Sequence, residues 1–265
     1  MYPARYALRR DDGMLRLAQW HDLEGFFVGR ETAYDRYENP GEEPDSVSAT
    51  LRAVSWLDAA DDRPTRTINL GDALVEVLDA HGRVMGDYDA WDARVTITKD
   101  SPDALLTAYV GMLPAVAAEW VWDTWRAAMP TERNLWAALP VGQREAWTEV
   151  AQTVHFRAMR QPYPALAHEI ELDGQHVHDL ASFFCAIGEA VNGPGGYCGS
   201  SLVGMSDLLH HAERPTAQQP RLVWRNLTVA ESGLARTVQV DGRTMSYFDL
   251  VMTVLSEDGI EVVRA

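Results

Sequence analysis

The pattern of apolar and polar positions divides the chain into a β-rich first part, a helical middle and a mixed last part. Before residue 100, short runs that alternate in polarity and favour β-branched residues indicate strands. Two hairpins are predicted, one with its turn at residues 11–13 and a clearer one with its turn at residues 79–82. The predicted strands are residues 6–10, 14–20, 47–56, 74–78, 83–88 and 94–98.

Helical spacing of apolar residues begins after Pro102. Residues 103–113 are predicted to form a helix, Pro114 interrupts the pattern, and residues 115–128 continue it. A further helix is predicted from about Pro140 to residue 157. The tryptophans of this stretch predict packing in a core or domain interface, with an aromatic ligand groove as the less common alternative. They are Trp120, Trp122, Trp125, Trp136 and Trp147.

Residues 159–164, Met-Arg-Gln-Pro-Tyr-Pro, contain two prolines and no periodicity, which is typical of a linker. We therefore predict two domains, residues 1–158 and residues 165–265. The first is α+β, with β-rich and then Trp-rich helical segments. In the second, the order strand, helix, helix, strand, helix, strand predicts a small parallel sheet covered by helices. These elements are residues 167–172, 179–191, 200–212, 221–224, 246–257 and 259–263.

The composition is that of an ordinary globular protein, but the charge balance is strongly acidic. Asp and Glu number 39 against 23 Lys and Arg, which gives a formal net charge of −16. This excess repels phosphate backbones and disfavours direct binding of nucleic acid, whereas a basic protein partner would be attracted. Two cysteines are too few for a disulfide framework. No apolar run has the roughly 20 residues that span a bilayer, and the first residues lack a signal-peptide core. We expect a cytoplasmic protein that does not bind membranes.

Residues that could carry chemistry are present, but their spacing is unfavourable. The glycine-rich loop at 193–199 lacks the lysine of a P-loop and follows a helix instead of a strand. His176 and His178, with the pair His210-His211, lack the additional ligands of a structural zinc site. Surface histidines are the commoner explanation. We expect neither a metal nor another cofactor.

Nucleophilic catalysis is also disfavoured by the sequence. Cys198 lacks a recognisable histidine and acid partner pattern, so a packed cysteine is the simpler interpretation. Ser206 and Asp207 precede His210, yet adjacent helix residues point in different directions and do not form a triad. The Gly-x-Ser-x-Gly motif is absent. We expect that the protein is not an enzyme.

From about residue 168 to its end the chain resembles the barstar family of intracellular ribonuclease inhibitors. The resemblance rests on a strand that ends in Asp173-Gly174, an amphipathic helix, and a Tyr-x-Gly turn that leads into a short helix. It implies a small α/β domain with a three-stranded parallel sheet. Positions that match the residue types of the family are Tyr197, Gly199, Leu202, Asp207 and Leu209.

The resemblance also implies a partner-binding site. Asp207 falls on the family's aspartate that enters the ribonuclease active site and occupies a phosphate position. The family has another aspartate at Val203 and an asparagine at Ser201, and its late-helix acid falls near Thr253 or Val254. Acidic residues follow one turn after that position. The candidate partner-binding residues are Tyr197, Gly199, Ser200, Gly204, Asp207, Glu257 and Asp258.

The resemblance predicts an inhibitor or immunity protein of a bacterial toxin–antitoxin pair, which blocks a secreted ribonuclease or related toxin with an acidic helix. The lost family acids imply that either the target differs or the domain has drifted from inhibition. An alternative is a regulatory module that binds a non-nuclease protein or small ligand through the first domain. The first domain has no counterpart in the family, and the sequence assigns it no role.

Overall fold

The computed structural model describes residues 3–10, 16–29, 45–56, 65–158, 165–214, 219–240 and 242–265. The chain forms two compact units, Met1–Met129 and Pro130–Ala265. This division lies before the helix at residues 141–158, whereas the sequence analysis placed the boundary after it. The predicted linker at 159–164, with its two prolines, lies outside the described residues, and so does the predicted turn at 11–13.

The described residues of the first unit contain an antiparallel sheet of eight strands, in the order β3-β4-β8-β7-β6-β1-β2-β5. The predicted hairpin around residues 79–82 is confirmed, and the predicted strand at 94–98 is the end of one long strand, β7. The strands are β1 Tyr6–Arg10, β2 Arg16–Trp20, β3 Asp22–Glu24, β4 Asp45–Arg52, β5 Ser55–Trp56, β6 Thr65–Leu78, β7 Val84–Thr98 and β8 Ala104–Val110.

The helix predicted at residues 103–113 is wrong, because this segment contains strand β8. Its buried positions, Leu106, Ala108 and Val110, alternate with exposed ones, and the strand lies between β4 and β7 in the sheet. Pairing on both sides supplies backbone hydrogen bonds that override a weak helical pattern. The predicted strand 47–56 is divided into β4 and β5, since Ala53 adopts a left-handed conformation with φ of 54°.

One helix, α1 Val116–Ala127, follows β8 and confirms the predicted helix at 115–128. It buries Trp122 and Trp125, and the Trp122 indole donates a hydrogen bond to the Tyr88 hydroxyl at 2.8 Å. Of the five tryptophans singled out in the sequence, only Trp120 is exposed, at 43%. Core packing therefore explains the other four.

The second unit has a three-stranded parallel sheet in the order β13-β10-β9, which confirms the predicted parallel sheet. Its strands are β9 Glu169–Asp173, β10 Arg221–Arg225 and β13 Glu261–Arg264. Helix α5 and the antiparallel hairpin of β11 and β12 were not predicted. The remaining elements are α2 Val141–Ala158, α3 Leu180–Asn192, α4 Leu202–His211, α5 Leu227–Gly233, β11 Thr237–Val240, β12 Arg243–Ser246 and α6 Tyr247–Glu257.

Helix α3 is deeply buried in the second unit, since residues 181–189 are all buried. Its start is fixed by a capping box, in which Asp179 and Ser182 exchange side-chain-to-backbone hydrogen bonds. Helix α2 packs against α3, where Arg144 pairs with Asp179. Helix α3, which the sequence correctly placed, thus packs against both α2 and β9.

Candidate functional site

The glycine-rich loop between α3 and α4 is built for close backbone packing. A Cβ at Gly188 would lie 2.3 Å from the carbonyl oxygen of Gly196, so the loop touches the helix only because both residues are glycine. The backbone N–H of Gly195 donates to the buried Glu189 carboxylate at 3.2 Å. A carboxylate therefore takes a loop amide that a bound phosphate would need.

Tyr197 closes this loop onto the second unit's core. Its side chain is 4% exposed, and its ring lies 5.6 Å from His155 and 5.8 Å from Phe156, both on α2. Its backbone carbonyl accepts a hydrogen bond from the Asn192 side chain at 2.6 Å. Tyr197 therefore anchors the loop to α2, and little of its side chain is exposed to solvent.

Gly199 sets where α4 begins. Its φ is 96°, in the left-handed region, and an added Cβ would lie 2.5 Å from the backbone nitrogen of Met205. Ser201 then caps the helix by accepting from the Gly204 N–H at 3.0 Å. Ser200 is half-buried, with its hydroxyl 3.4 Å from the Gln152 side chain. These contacts fix the direction in which α4 leaves the loop.

Asp207 lies on the exposed side of α4, while Met205 and Leu209 bury the opposite side. Its carboxylate has no hydrogen bond or ion pair with any residue that the structure describes. One turn earlier on the same side, Val203 is 71% exposed. The surface of α4 therefore presents an unpaired carboxylate next to an exposed apolar side chain.

Helix α6 packs against α4 and brings the last two candidate residues close to it. Glu257 is exposed at the end of α6, whereas Asp258 is only 7% exposed. The Asp258 Oδ1 lies 4.0 Å from Nδ1 of His210, and its backbone carbonyl accepts from Arg214 at 2.5 Å. Asp258 is thus buried next to His210. Among the candidate residues, the exposed acids are Glu257 and Asp207.

The cysteines are unsuited to nucleophilic chemistry. Cys185 and Cys198 are both buried, and burial raises the pKa of each thiol to about 12.

Within the described ranges, no group of three His, Cys, Asp or Glu residues is arranged to hold a metal ion. The His210 ring lies 4.0 Å from the Asp258 carboxylate and forms no ion pair with Asp207. Ser206, Asp207 and His210 therefore do not form a triad.

Helix α2 contributes residues that the sequence analysis did not connect with the site. His155 is half-buried beside Tyr197, and burial lowers the pKa of its imidazole. It lines a cavity of about 20 Å³ together with Leu166, Cys198 and Leu209. This volume is that of a single water molecule, so the cavity does not serve a larger ligand. The sequence analysis placed His155 and Tyr197 in different domains because it predicted a linker after α2, and it therefore did not connect the two residues.

Comparison of the chain with protein-family models, curated proteins and solved structures finds no match. No helix in the described part of the chain is both long and apolar enough to cross a membrane. The architecture is a mixed α+β chain whose first unit is a large antiparallel sheet and whose second unit is a three-stranded parallel sheet with helices.

Proposed function

We propose that this protein is a cytoplasmic inhibitor, or immunity protein, that binds and blocks a ribonuclease or related toxin through helix α4. The observation that carries the proposal is the Asp207 carboxylate, which is exposed on α4 without a cation among the described residues to neutralise it. An enzyme that holds phosphates needs a cationic cleft. A carboxylate inserted there replaces one phosphate charge.

The residues that position α4 favour this role, because a helix that is already ordered loses less conformational entropy on binding. Gly199 and Ser201 fix the first turn of the helix, and Tyr197 anchors the preceding loop to α2. The net charge of −16 also favours rapid encounter with a basic protein.

Val203 suggests how the target differs from the barnase that the resembled family inhibits. At this position the family carries a second aspartate, whereas here the exposed side chain is apolar. We therefore propose a target whose cleft places one strong cation opposite Asp207 and an apolar contact opposite Val203. Such a cleft would carry less positive charge than one that accepts several carboxylates.

The test begins with capture of small basic proteins from the host's secreted fraction, followed by assay of the captured protein for ribonuclease activity and its inhibition. Titration calorimetry then compares the wild-type chain with Asp207→Asn. We expect a loss of roughly 2–5 kcal/mol, because the opposing cation would stay desolvated without its partner. The loss should shrink at high salt.

Glu231→Gln is the matched control, because Glu231 is an exposed acid on α5 of the same unit. It removes the same charge from the chain and should leave the affinity within about twofold of wild type, as expected for an exposed charge on another helix. If Asp207→Asn and Glu231→Gln bind the target equally well, α4 is not the inhibitory surface.

A further inference from the structure

The first unit has a broad sheet face whose residues are not part of the inhibitory site proposed above. The face is formed by β4, β8, the paired stretch 91–98 of β7 and the stretch 65–69 of β6. On the inner side of these strands the residues are mostly buried and apolar, such as Leu51, Val95 and Leu106. The outer side is exposed, and we call it the platform.

Side chains of the platform follow regular rows across the strands. Ser46 lies opposite Tyr109, which lies opposite Trp91. In the next row Thr107 lies between Ser48 and Arg94. Because directly opposed residues point to the same face about 4.5–5.5 Å apart, each row presents hydroxyl and aromatic or basic groups side by side.

The two aromatic residues of the platform are open to solvent. Trp91 is 40% exposed and Tyr109 is 45% exposed. A Cβ at Gly111 would lie 3.2 Å from the outer edge of the Trp91 indole, so the glycine leaves room for the ring over the end of β8. Trp91 is therefore supported by the backbone beneath it, and both rings are partly exposed beside hydroxyl groups.

Two groups of charged side chains on and around the platform form ion pairs. Arg94 donates to the Asp92 carboxylate at 2.7 Å, and at the far end of the strands Arg52 pairs with Asp103 at 2.7 Å and with Glu24. Between these pairs lie neutral hydroxyl side chains, among which Thr67 and Thr96 bond to each other at 3.0 Å. In a chain of net charge −16, this face fits a neutral ligand better than a charged one.

We propose that the platform is a binding site for a neutral carbohydrate chain. Sugar rings have apolar C–H faces, whose weakly positive hydrogens are attracted to the negative faces of aromatic rings such as Trp91 and Tyr109. Sugar hydroxyls donate and accept, as do the Ser and Thr side chains in the rows, while Arg94 supplies further donors. An extended saccharide matches an open, exposed sheet face.

A protein partner is the alternative occupant, and the arrangement disfavours it. Protein interfaces place aromatic anchors at the centre of an apolar patch with a polar rim. On the platform Tyr109 has Ser46 as its direct neighbour on one side, and the exposed Leu105 lies between Thr50 and Thr96. Apolar and hydroxyl groups are thus intermixed over the face, as a ligand with alternating apolar and hydroxyl surfaces requires.

The test uses the full chain and a panel of neutral hexasaccharides built from glucose or N-acetylglucosamine in α and β linkages. Titration calorimetry is expected to detect binding of at least one member, with a dissociation constant in the millimolar range or below. Trp91→Ala and Tyr109→Ala should each weaken that binding by roughly tenfold or more. Thr107→Val, which keeps the shape but removes a hydroxyl, should weaken it by a smaller factor.

Trp120→Ala is the matched control, since Trp120 is exposed to a similar degree, at 43%, but lies on α1. It should leave carbohydrate binding unchanged, and so should Asp207→Asn in the second unit. The proposal is overturned if no hexasaccharide binds, or if Trp120→Ala reduces binding as much as Trp91→Ala. It is also overturned if the platform variants instead abolish binding of a captured protein. None of these outcomes changes what the Asp207 experiment reports.

Discussion

Glu189, buried on α3, accepts a hydrogen bond from the backbone N–H of Asn134 at 2.8 Å. The other oxygen of the same carboxylate accepts from Gly195, in the loop that leads to α4. One side chain therefore connects the segment before α2 with the loop that positions the candidate inhibitory helix. Since Glu189 is 2% exposed, its carboxylate is shielded from water that would compete for these bonds.

The contacts of Glu189 predict a large loss of stability when the carboxylate is removed. In Glu189→Ala the partly buried amides of Asn134 and Gly195 would lose their acceptor, at a combined cost of roughly 1–3 kcal/mol. Urea denaturation followed by circular dichroism measures the change in the free energy of unfolding. Glu231→Ala, at an exposed position, should change it by less than about 0.5 kcal/mol. A Glu189→Ala protein as stable as wild type would contradict this role.

The place of α2 predicts how fragments of the second unit behave. A fragment of residues 165–265 lacks the Arg144–Asp179 ion pair, the contact of Thr148 with Cys185 and the Asn134 bond to Glu189. It also exposes the side of α3 that α2 covers. We expect residues 130–265 to melt cooperatively, and residues 165–265 to melt more than about 10 °C lower and to bind a hydrophobic dye. Equal melting temperatures would show that α2 is dispensable for this fold.

The sequence was sufficient for elements whose signals are local. Asp179 with Ser182 marks the start of α3, Gly193 marks its end, and Asp173-Gly174 marks the end of β9. The strand β8 was mistaken for a helix, because Leu105, Leu106 and Tyr109 have the spacing of one helical face and the pairing of β8 with β4 depends on distant residues. Helix α5 is only seven residues long, which is too short for a periodic signal.

For the candidate site, too, local features could be predicted from the sequence and features that depend on tertiary packing could not. The exposed position of Asp207 follows from its place opposite Met205 and Leu209 on one helix. The burial of Asp258 does not, because it depends on how α6 packs against α4. The platform was missed since Trp91 and Tyr109 come together only through the register of β7 and β8.

Asp79, in the turn between β6 and β7, predicts an acid-sensitive step in the first unit. Desolvation tends to raise the pKa of this carboxyl, but hydrogen bonds from Arg83 and the His81 backbone outweigh it and lower the pKa to about 2. Because the folded pKa is lower than the unfolded value, the contribution to stability is complete above about pH 4. It decreases as the pH falls toward 2.

This linkage is measured by thermal denaturation of the wild type and Asp79→Asn between pH 2 and pH 6. The variant should lose stability at pH 6 and show a smaller further decrease on acidification, so the difference between the two proteins narrows as the pH falls. Asp92→Asn, at an exposed ion pair in the same unit, is a suitable control. A wild-type minus Asp79→Asn difference that stays constant over this range would contradict the role given to Asp79.

Gly199 predicts that a single methyl group displaces α4. In Gly199→Ala the residue would keep a φ of 96°, and its Cβ would meet backbone and side-chain atoms of Met205 at 2.5–2.9 Å. The left-handed conformation alone costs roughly 1–3 kcal/mol for a residue with a Cβ, and the backbone contact cannot be relieved by a side-chain rotation. We expect a loss of more than about 2 kcal/mol in the free energy of unfolding.

Gly204→Ala provides the matched control on the same helix. Gly204 is helical, and its added Cβ would lie 3.3 Å from the Ser201 hydroxyl and 3.9 Å from the Gly199 Cα. A gain in helix propensity of about 1 kcal/mol opposes this tight contact, so the net change should be smaller than about 1 kcal/mol. Amide hydrogen exchange distinguishes local from global effects. In Gly199→Ala the amides of α4 should lose protection before those of β9 and β10, because the substitution acts where the helix begins. Equal stability of Gly199→Ala and Gly204→Ala would show that the loop adapts to a side chain at 199 and does not fix α4.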